Sequence, residues 1–465
     1  MSTFTRRIAP FVKQMKAADL PDIVIATFGH YYRKLLQGQT GIIPESSIIA
    51  VTSLPDADAL APELHSLGEA NISRTAIIKL NGGLGTSMAM KGAKSLLKVK
   101  DGLSFMDIIV RQARHMDDRM PVVFMNSFST RTDTLKALQR YPELQGDIPS
   151  DFLQHKIPKI DAADLTPVAW PEDPRHEWCP PGHGDIFTAL VTSGMLDKLI
   201  AAGYDYAFVS NADNLGAVVE PSLLGYFIRH RLEFMMEVAD RTDQDKKGGH
   251  LARLESGRYI LREIAQCAET DLGAFQDIQR HKYFNTNNIW LHLPALKRVM
   301  TRKRGLIGLP MIRNTKTVDP RDGRSTPVIQ LETAMGAAIS VFNASGAVRV
   351  PRSRFAPVKN TNDLLAVRSD HYALNDRFHI VPNPGRKFRN LRIDLDEGYY
   401  KCIDDFERRF PYGPPSLVDC RYLKVKGDFN FGFDVRLQDG VTLLNRGARP
   451  FGIDDRVRIR GELRV

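Results

Sequence analysis

A glycine-rich turn after an apolar strand is the segment whose residue types most clearly suggest chemistry. The sequence IIKLNGGLGTSMAMKGAKSLLKV ends an apolar strand at Leu80 and continues directly into Gly82, Gly83 and Gly85, with Lys94 following. Glycines at a strand exit let backbone N–H groups approach a polyphosphate, and a lysine beyond them can neutralise its charge. The spacing fits neither G-x-x-x-x-G-K-[ST] nor G-x-G-x-x-G, which excludes an ordinary kinase, ATPase or dinucleotide-binding site. Taken alone, such a turn is structural about as often as functional.

Polar residues also follow a second apolar strand, in YAFVSNADNLGA. Asn211, Asp213 and Asn214 stand at the strand end, where an α/β sheet presents its ligands. Mg²⁺ needs only one or two carboxylates when substrate phosphates and waters complete its shell, so a single aspartate could hold it. A lone aspartate is equally a common turn former or helix cap, and the residues alone leave both interpretations open.

Two loops could contact a flat ligand. In CPPGHGDIFTALVTSG, His183 stands between two glycines after two prolines, where the backbone can approach a ligand closely. The alternative is a tight turn that caps a helix beginning at Ile186, with Asp185 as its N-cap. In FLQHKIPKID, the Gln154 amide carries one donor group and one acceptor, which suit a base edge, although an exposed glutamine is usually only solvated.

Two further segments could meet a sugar phosphate. FNTNNIW supplies Asn285, Asn287 and Asn288, whose amides both donate and accept as sugar hydroxyls require, although asparagines also form turns. VPRSRFAPVK delivers Lys359 after a proline-stiffened strand end. A lysine in such a place normally faces solvent.

The elements that position these residues alternate between strand and helix. Strands are predicted at TAIIKL, PVVFMN, YAFVS, EFMMEVA and NIWLHL, and helices near 131–140, 187–202, 221–230, 294–302 and 331–344. This alternation predicts an α/β domain with a largely parallel sheet, whose ligands lie beyond the carboxyl ends of its strands.

The two ends of the chain differ from this pattern. Residues 1–70 carry amphipathic helical spacing and turns, whereas the sequence from about residue 415 consists of short β-like runs separated by Gly and Asp. The second pattern predicts a small β-solenoid or sandwich. We therefore expect a helical extension over 1–70, a catalytic domain over 71–370, a connecting segment over 371–414 and a C-terminal β domain over 415–465.

Composition limits the partners that can be expected. The formal charge of +10 over 465 residues suits acidic partners, namely phosphorylated small molecules, nucleic acid or an anionic membrane surface. The basic runs lack interleaved aromatic residues, which favours solvated surface over a nucleic-acid platform. The sequence shows no apolar run of membrane-spanning length and no signal peptide, so we expect a cytoplasmic protein without membrane contact. The cysteines are widely scattered, which argues against a thiolate metal site; they are Cys179, Cys267, Cys402 and Cys420.

The whole pattern resembles the eukaryotic-type UDP-glucose pyrophosphorylases. The segment KLNGGLGTSMAMKGAKSLLKVKDGLSFMDIIVRQ is similar to the opening signature of that family. The similarity continues through MNSFST, FLQHKIPKID, PPGHGDIFTAL, VSNADNLGA, KKGGHLAR, FNTNNIW, VIQLETAMGAAI and VPRSRFAPVK, across roughly residues 75–360 and into the β tail. One departure is Ala93 before Lys94, where many members carry proline. The resemblance implies a Rossmann-like, glycosyltransferase-A-like mixed sheet flanked by helices, with a C-terminal left-handed β-helix.

The resemblance also implies a role for each candidate residue. Lys94 and Lys359 would be catalytic, and Asp213 would be both catalytic and the Mg²⁺ ligand. The implied nucleotide-binding residues are Leu80, Asn81, Gly82, Gly83, Gly85, Thr86, Gln154, Gly182 and Asn211. The implied sugar-phosphate-binding residues are His183, Gly248, Gly249, Asn285, Asn287, Asn288 and Glu332.

The implied reaction joins UTP and glucose 1-phosphate into UDP-glucose and pyrophosphate. The phosphate oxygen of the sugar would attack the α-phosphorus of UTP in line, and since that nucleophile is already an anion it needs no general base. Three alternatives remain: a UDP-N-acetylhexosamine pyrophosphorylase, a catalytically silent sugar-nucleotide-binding protein and a basic RNA-binding protein. The chain could be a monomer or a homo-oligomer assembled through the C-terminal domain.

Overall fold

The computed structural model describes residues 3–144 and 146–465, and its helices are numbered here along the chain. In these ranges the α-helices are α1 (Thr3–Ala17), α2 (Asp22–Leu36), α3 (Pro62–Glu69), α4 (Phe105–Met116), α5 (Arg131–Leu138), α6 (Ile186–Thr192), α7 (Met195–Ala201), α8 (Pro221–Arg229), α9 (Leu272–Gln276), α10 (Leu293–Arg302), α11 (Thr361–Arg368), α12 (Glu397–Tyr400) and α13 (Ile403–Arg409). Within the same ranges, none of the helices is long and apolar enough to cross a membrane.

The strands fall into one large sheet and several small ones. Those before residue 200 are β1 (Ile48–Ala50), β2 (Thr75–Asn81), β3 (Lys98–Lys100), β4 (Leu103–Ser104), β5 (Val122–Asn126), β6 (Asp151–Leu153), β7 (Ile157–Pro158), β8 (Ile160–Asp161) and β9 (Trp178–Cys179). Those between 200 and 350 are β10 (Tyr206–Asn211), β11 (Phe234–Asp240), β12 (His250–Leu254), β13 (Tyr259–Arg262), β14 (Tyr283–His292), β15 (Ile312–Thr317), β16 (Pro327–Glu332) and β17 (Ser345–Arg349). The remainder are β18 (Tyr372–Leu374), β19 (Ile380–Pro382), β20 (Arg392–Asp394), β21 (Cys420–Lys426), β22 (Phe429–Phe431), β23 (Arg436–Leu444), β24 (Phe451–Ile453) and β25 (Arg458–Arg464).

The central sheet is mixed, not largely parallel as the alternation predicted. Its main path runs β1-β12-β14-β10-β2-β5-β6, and the strands from β10 to β6 are parallel to one another. The long strand β14 lies antiparallel to β10, β11 and β12, and β11 pairs in parallel with β17. The parallel half therefore presents the carboxyl ends of β2, β5 and β10 at one edge, where polar residues follow the strands.

The predicted elements are found at the expected places, with one error. The helix expected near 331–344 is instead the end of β16 followed by a short 3₁₀ helix, Met335–Ser340. The helix expected over 187–202 is divided into α6 and α7 at Gly194, whose φ of 72° is outside the helical range. Small apolar residues in 331–344 suit a buried turn as well as a helix, so their pattern could not distinguish the two.

The first seventy residues are part of the main body and include a strand. Strand β1 pairs with β12 at the edge of the central sheet. Helices α1 and α2 pack through Phe11, Val24 and Tyr32 against apolar residues of β7 and β16. Helix α3 lies so close to α8 that a side-chain carbon at Gly225 would overlap the carbonyl oxygen of Leu64. These contacts fix the extension to the sheet.

A buried charge cluster attaches the chain before β1 to the sheet. Arg262 at the end of β13 is fully buried, and its guanidinium lies 2.5 Å from Glu45 Oε2 and 3.0 Å from Asp271 Oδ2. The other oxygen of Glu45 contacts Arg280 and His281 at 2.8 and 2.9 Å. The Glu45 carboxylate therefore joins its own segment to β13 and to residues 280–281.

Residues 392–464 form stacked parallel strands. Strands β20, β21, β23 and β25 make one parallel sheet, and β22 and β24 make a second. Leu423 pairs with Val441, which pairs in turn with Gly461. Apolar side chains from these strands belong to the same core as those of α4 and α8, so the strands pack directly on the larger domain.

Replacing Glu45 by alanine should lower the free energy of unfolding by about 3 kcal/mol, because it removes one counter-charge from a buried guanidinium. Chemical denaturation monitored by fluorescence would measure this loss. The exposed Asp243, which contacts Lys246 at 3.0 Å, provides the control, since Asp243→Ala should change stability by under about 1 kcal/mol. Equal effects of the two substitutions would contradict this account of the cluster.

Candidate active site

A polar groove of about 310 Å³ opens at the carboxyl ends of β2, β5 and β10. The residues that line it are Leu80, Asn81, Gly82, Gly83, Lys94, Ser95, Met125, Gln154, Pro180, Gly182, His183, Asn211, Ala212 and Asp213. Most of the residues predicted to bind a nucleotide are in this set, and Gly85 and Thr86 continue the same loop beyond it. The groove lies at the edge where α/β sheets bind ligands.

Hydrogen bonds from behind hold the glycine loop in place. The hydroxyl of Thr130 donates to the carbonyl of Asn81 at 2.8 Å, and that of Ser127 donates to the carbonyl of Gly82 at 3.0 Å. Because C=O and N–H of a planar peptide point in opposite directions, the amide following each carbonyl is directed away from these donors. Gly85 has a φ of 66°, which permits the turn that follows.

Lys94 and Asp213 are in direct contact. The Lys94 ammonium lies 2.5 Å from Asp213 Oδ2, and both side chains are largely buried, with exposures of 12% and 25%. Lys94 is positioned by its backbone N–H, which donates to the carbonyl of Gly83. The contact brings together a cation and an anion from two segments that sequence analysis assigned to the same phosphates.

The segment that carries Lys359 is hydrogen-bonded to the glycine loop, to the Asp213 loop and to helix α11. The Ser87 hydroxyl donates to the Lys359 carbonyl at 2.7 Å, and the Lys359 N–H donates to Asp363 Oδ2 at 2.7 Å. The N–H of Val358 donates to the carbonyl of Asp213. The Lys359 side chain is exposed, with its ammonium 5.5 Å from the ring centre of Phe355. Lys359 is therefore adjacent to the glycine loop and to Asp213, although it does not line the groove.

His183 is a neutral donor in this site. Burial lowers the pKa of His183 to about 4, so the ring is uncharged at neutral pH. Its Nδ1 accepts a hydrogen bond from the Met335 N–H at 3.0 Å, which places the proton of the neutral ring on Nε2. An Nε2–H group beside the groove can donate to a phosphate oxygen.

Gln154 and Gly182 are joined to each other. The Gln154 Nε2 donates to the Gly182 carbonyl at 2.9 Å, and a side-chain carbon at Gly82 would lie 3.0 Å from Gln154 Oε1. Gln154 is largely buried, with an exposure of 7%. The amide therefore has a fixed orientation at the end of the groove, as a base-reading residue requires.

The alternative interpretation of the His183 loop gave Asp185 as the N-cap of a helix that begins at Ile186, and α6 begins there. Asp185 occupies the N-cap position of α6, but its side chain makes no capping hydrogen bond. The carboxylate instead accepts from the backbone N–H of His155 at 2.8 Å and contacts its ring. A sequence pattern that identifies a cap position cannot identify a competing partner thirty residues away.

A β-bulge in β14 separates the three asparagines of FNTNNIW. Glu237 pairs with Asn288 and Val238 with Asn285, so Thr286 and Asn287 of β14 have no pairing partner in β11. Asn287 lies in the bulge with a φ of 59°, and its side-chain oxygen accepts from the Asn285 amide at 2.8 Å. Bulges commonly redirect side chains next to active sites. The bulge thus places Asn285 and Asn287 differently from Asn288.

Two predicted contact residues have their side chains engaged inside the protein. Asn288 is fully buried, its amide donates to Glu237 and to the Arg354 carbonyl, and its oxygen accepts from Asn214. The side chain of Asn81 donates to Asn126 and Thr134, although the residue borders the groove. We therefore reassign both side chains to the framework of the site.

The glycines of KKGGHLAR lie next to a carboxylate that sequence analysis missed. A side-chain carbon at Gly249 would fall 2.4 Å from Glu263 Oε2, whereas at Gly248 it would lie 4.0 Å from the ring of Phe284. The carbonyl of Gly249 accepts from the Asn285 N–H at 2.9 Å. Burial raises the pKa of Glu263 to about 7. The available signal was a glutamate two residues beyond the end of the apolar run Tyr259–Leu261.

Glu332 supports the Gly182 loop from behind. A side-chain carbon at Gly182 would lie 3.1 Å from Glu332 Cβ, and the carboxylate of Glu332 is 3.7 Å from Lys316 Nζ. Its neighbour Thr333 exchanges backbone hydrogen bonds with Pro181 and Gly184. Glu332 is not among the residues that line the groove.

A buried ionic network underlies the Asp213 and Lys359 segments. The Arg354 guanidinium makes two hydrogen bonds to the Glu237 carboxylate, at 2.8 and 2.6 Å. Lys79 is fully buried and donates to the Ser210 hydroxyl and the Ala217 carbonyl, and burial lowers its pKa to about 7. The sequence signal was a charged residue inside an apolar run, namely Glu237 in FMMEVA and Lys79 in TAIIKL.

The donor chemistry at Asp213 suits one hard cation together with phosphate oxygens. Throughout the described residues there is no group of three or more His, Cys, Asp and Glu side chains arranged to hold a metal ion. Mg²⁺ bound with a nucleotide takes only one or two protein carboxylates and leaves its other positions to phosphates and water. The partly exposed Asp213 carboxylate, next to Asn211 at the end of β10, meets that requirement.

Comparisons with known proteins give a consistent result. The family model described as UTP–glucose-1-phosphate uridylyltransferase matches residues 25–438. A probable UTP–glucose-1-phosphate uridylyltransferase of Schizosaccharomyces pombe is 40% identical over 396 residues, covering 84% of this chain and 77% of its own length. The UTP–glucose-1-phosphate uridylyltransferase of Solanum tuberosum is 40% identical over 406 residues, with coverages of 86% and 83%.

Solved structures agree with the sequence relatives. The crystal structure of a point mutant of UDP-glucose pyrophosphorylase from Leishmania major superposes with a TM-score of 0.91 at 41% identity, covering 99% of this chain and 98% of that one. A second point mutant from Leishmania major, in complex with UDP-glucose, gives a TM-score of 0.89 at 41% identity, with 99% of both chains covered.

The raised pKa of Glu263 makes stability depend on pH. Between about pH 4.5 and 7 the native state holds a proton that the unfolded chain releases, so this contribution to stability is present below pH 4.5 and lost as the pH rises to 7. Glu263→Gln, which mimics the protonated form, should remove a pH dependence of at most about 1.4 kcal/mol per pH unit in this window. Denaturation at pH 5, 6, 7 and 8 measures it.

The control for this prediction is Glu255→Gln, in the exposed turn between β12 and β13. The free energy of unfolding of this variant should change with pH in the same way as that of the unmodified protein. If the free energy of unfolding of Glu263→Gln also changed with pH as in the unmodified protein, the pKa of Glu263 would not be raised.

Proposed function

The chain belongs to the UTP–glucose-1-phosphate uridylyltransferase family, and we propose that its groove joins UTP and glucose 1-phosphate into UDP-glucose and pyrophosphate. The observation that carries the proposal is the convergence on one groove of the glycine loop, Lys94, Asp213 and the Gln154–Gly182 pair. These groups offer what a nucleotide requires: backbone amides and a cation for phosphates, a carboxylate for a cation, and an oriented amide for a base.

The base of UTP is assigned to the end of the groove formed by Gln154 and Gly182. The Gln154 Oε1 can accept from N3–H of uracil, while its second N–H can donate to a carbonyl of the base. Such buried pairing favours uracil because a mismatched base leaves polar groups without partners.

The hexose is assigned to the side formed by His183, Asn285 and Glu263. The Met335 N–H binds His183, and a side-chain carbon at the adjacent Gly336 would lie 2.9 Å from Asn285 Nδ2, so these residues form a continuous surface. The Asn285 N–H donates to the Gly249 carbonyl, and Gly249 lies against the Glu263 carboxylate, so the surface extends to these two residues. In this proposal Glu263 accepts from a sugar hydroxyl, and Gly248 and Gly249 leave room for the ring. Asn287 holds the Asn285 amide in place.

The phosphates are assigned to the region between the glycine loop, Lys94 and Lys359. The loop amides and the His183 Nε2–H would bind phosphate oxygens, and the two ammonium groups would stabilise negative charge as the bond to pyrophosphate breaks. Asp213 would hold Mg²⁺, with Asn211 beside it. When bound, Mg²⁺ neutralises phosphate charge and fixes the phosphates for in-line attack.

We also propose a C-terminal fold, a domain organisation, a cellular location and an assembly for this chain. The stacked parallel strands after residue 392 support a β-solenoid, the left-handed β-helix implied by resemblance. The divisions at residues 70, 370 and 414 remain proposals, although β1 pairs across the first of them. We also propose a cytoplasmic enzyme that acts as a monomer or as a homo-oligomer assembled through the C-terminal strands.

Release of pyrophosphate should be fastest with UTP and glucose 1-phosphate. A coupled assay across four nucleoside triphosphates, with glucose 1-phosphate, galactose 1-phosphate and N-acetylglucosamine 1-phosphate, measures this preference. Asp213→Asn should abolish most activity while the fold persists, because it keeps the shape of the side chain and removes its charge. Faster turnover of N-acetylglucosamine 1-phosphate would instead identify the alternative pyrophosphorylase, and no turnover would favour a silent binding protein.

Loss of either catalytic lysine should lower kcat more than it raises KM. An ammonium directed at the departing pyrophosphate stabilises the transition state more than bound UTP, so Lys94→Ala and Lys359→Ala should each reduce kcat by about 10²–10³. Steady-state kinetics with both substrates varied provides the measurement.

The exposed Lys297, which contacts Asp197, supplies the control for the lysine variants. Lys297→Ala should leave kcat and both KM values unchanged. If Lys359→Ala raised only a KM, its transition-state role would be wrong.

A further inference from the structure

An aspartate, a histidine and a threonine form a chain of hydrogen bonds behind the base end of the groove. His155 Nδ1 lies 2.9 Å from Asp185 Oδ2, and its Nε2 lies 3.0 Å from the Thr192 hydroxyl. The histidine and aspartate side chains have exposures of only 9% and 6%. An acid, an imidazole and a hydroxyl in this order resemble a hydrolytic triad.

The arrangement is not placed to act on a substrate. Thr192 is the last residue of α6, and its hydroxyl also lies 3.1 Å from the carbonyl of Thr188 in the same helix. Not one of the three side chains is among the described residues that line the groove. The chain of hydrogen bonds must therefore act through its neighbours.

The neighbouring segments carry Gln154 and Gly182, the two residues assigned to the base. Asp185 accepts from the backbone N–H of His155 at 2.8 Å, so its carboxylate fixes both the ring and the backbone of the residue after Gln154. Asp185 also follows Gly182 by three residues and directly precedes α6. Contacts at both ends of α6 thus attach the Gln154 segment and the Gly182 segment to the same helix.

This attachment determines which way the Gln154 amide faces. Its Nε2 donates to the Gly182 carbonyl, and a flipped amide would place Oε1 against that carbonyl with no proton between them. Uracil presents N3–H and a carbonyl, whereas cytosine presents an unprotonated N3 and an amino group, so each base fits the opposite orientation of a glutamine amide. The position of the Gly182 carbonyl therefore selects the base.

We propose that His155 and Asp185 are positioning residues that set the preference for UTP over CTP, by holding the Gly182 carbonyl where it fixes the orientation of Gln154. The inference depends on the proposed function in one respect, which is that Gln154 and Gly182 contact the base. The pair forms no bond to the substrate and takes no part in phosphoryl transfer.

The test compares kcat/KM for UTP and CTP at saturating glucose 1-phosphate. Gln154→Ala should reduce the ratio of the two values by about tenfold or more. Asp185→Ala and His155→Gln should also reduce it by about tenfold, through a higher KM for UTP, a lower KM for CTP or both. The KM for glucose 1-phosphate should change less, because the side chains of His155 and Asp185 make their hydrogen bonds to each other and to Thr192, not to a side chain of the hexose surface.

A double-mutant cycle separates positioning through Gln154 from general loosening of the fold. If Asp185 acts through Gln154, adding Asp185→Ala to Gln154→Ala should produce no further fall in the UTP/CTP ratio. Asp197→Ala, on the neighbouring helix α7 and 67% exposed, should leave the ratio unchanged. Asp185→Asn, which retains one acceptor oxygen, should restore part of the lost discrimination.

The outcomes are distinguishable. If Gln154→Ala leaves the UTP/CTP ratio intact, the proposed base assignment fails together with the inference. If Gln154→Ala lowers the ratio while Asp185→Ala and His155→Gln do not, only the inference is overturned. Should Asp185→Ala fail to fold, His155→Gln decides, because it leaves the backbone contact with Asp185 in place.

Discussion

The buried ion pair between Glu237 and Arg354 is the interaction on which the phosphate side of the groove depends. Its side chains have exposures of 0% and 9% and meet through two hydrogen bonds. The Arg354 carbonyl accepts from the amides of Asn214 and Asn288, and its guanidinium also donates to Val218. Strand β11, the Asp213 loop and the Lys359 segment are therefore joined at one point. A buried pair of this kind costs desolvation, which its further hydrogen bonds offset.

Lys79 adds a second buried cation to the same region. Its ammonium holds the Ser210 hydroxyl and the Ala217 carbonyl, which lie on either side of Asp213 in sequence. The Glu237 carboxylate attracts both Lys79 and Arg354, which raises the pKa of Lys79. Burial has the larger effect and lowers that pKa to about 7. Because its hydrogen bonds hold residues on both sides of Asp213, Lys79 limits movement of that loop.

Local constraints determine those parts of the structure that could be predicted from the sequence. The glycine loop, the strands β2 and β10, and the helix α8 that follows β10 could be predicted from residue type and periodicity. Where a distant partner fixes the direction of a side chain, local sequence cannot show that direction. Asn288 and Asn81 carry the right chemistry for a ligand but face internal partners, because a bulge in β14 and the contact with Thr134 determine their direction. Periodicity likewise could not show that β1 would join the sheet.

The base and phosphate ends of the groove rest on separate supports. Gln154 and Gly182 depend on α6 through His155 and Asp185, whereas Asp213 and Lys359 depend on the Glu237–Arg354 pair, and these supports have no residue in common. Residues without shared partners contribute nearly additively, so discrimination between bases and acceleration of phosphoryl transfer can vary independently. Gly82 is the direct link between the two ends, since its carbonyl is bound by Ser127 and a side-chain carbon added to it would lie 3.0 Å from Gln154 Oε1. A side chain at position 82 would therefore press against Gln154 from within the glycine loop, so one substitution would reach both ends of the groove.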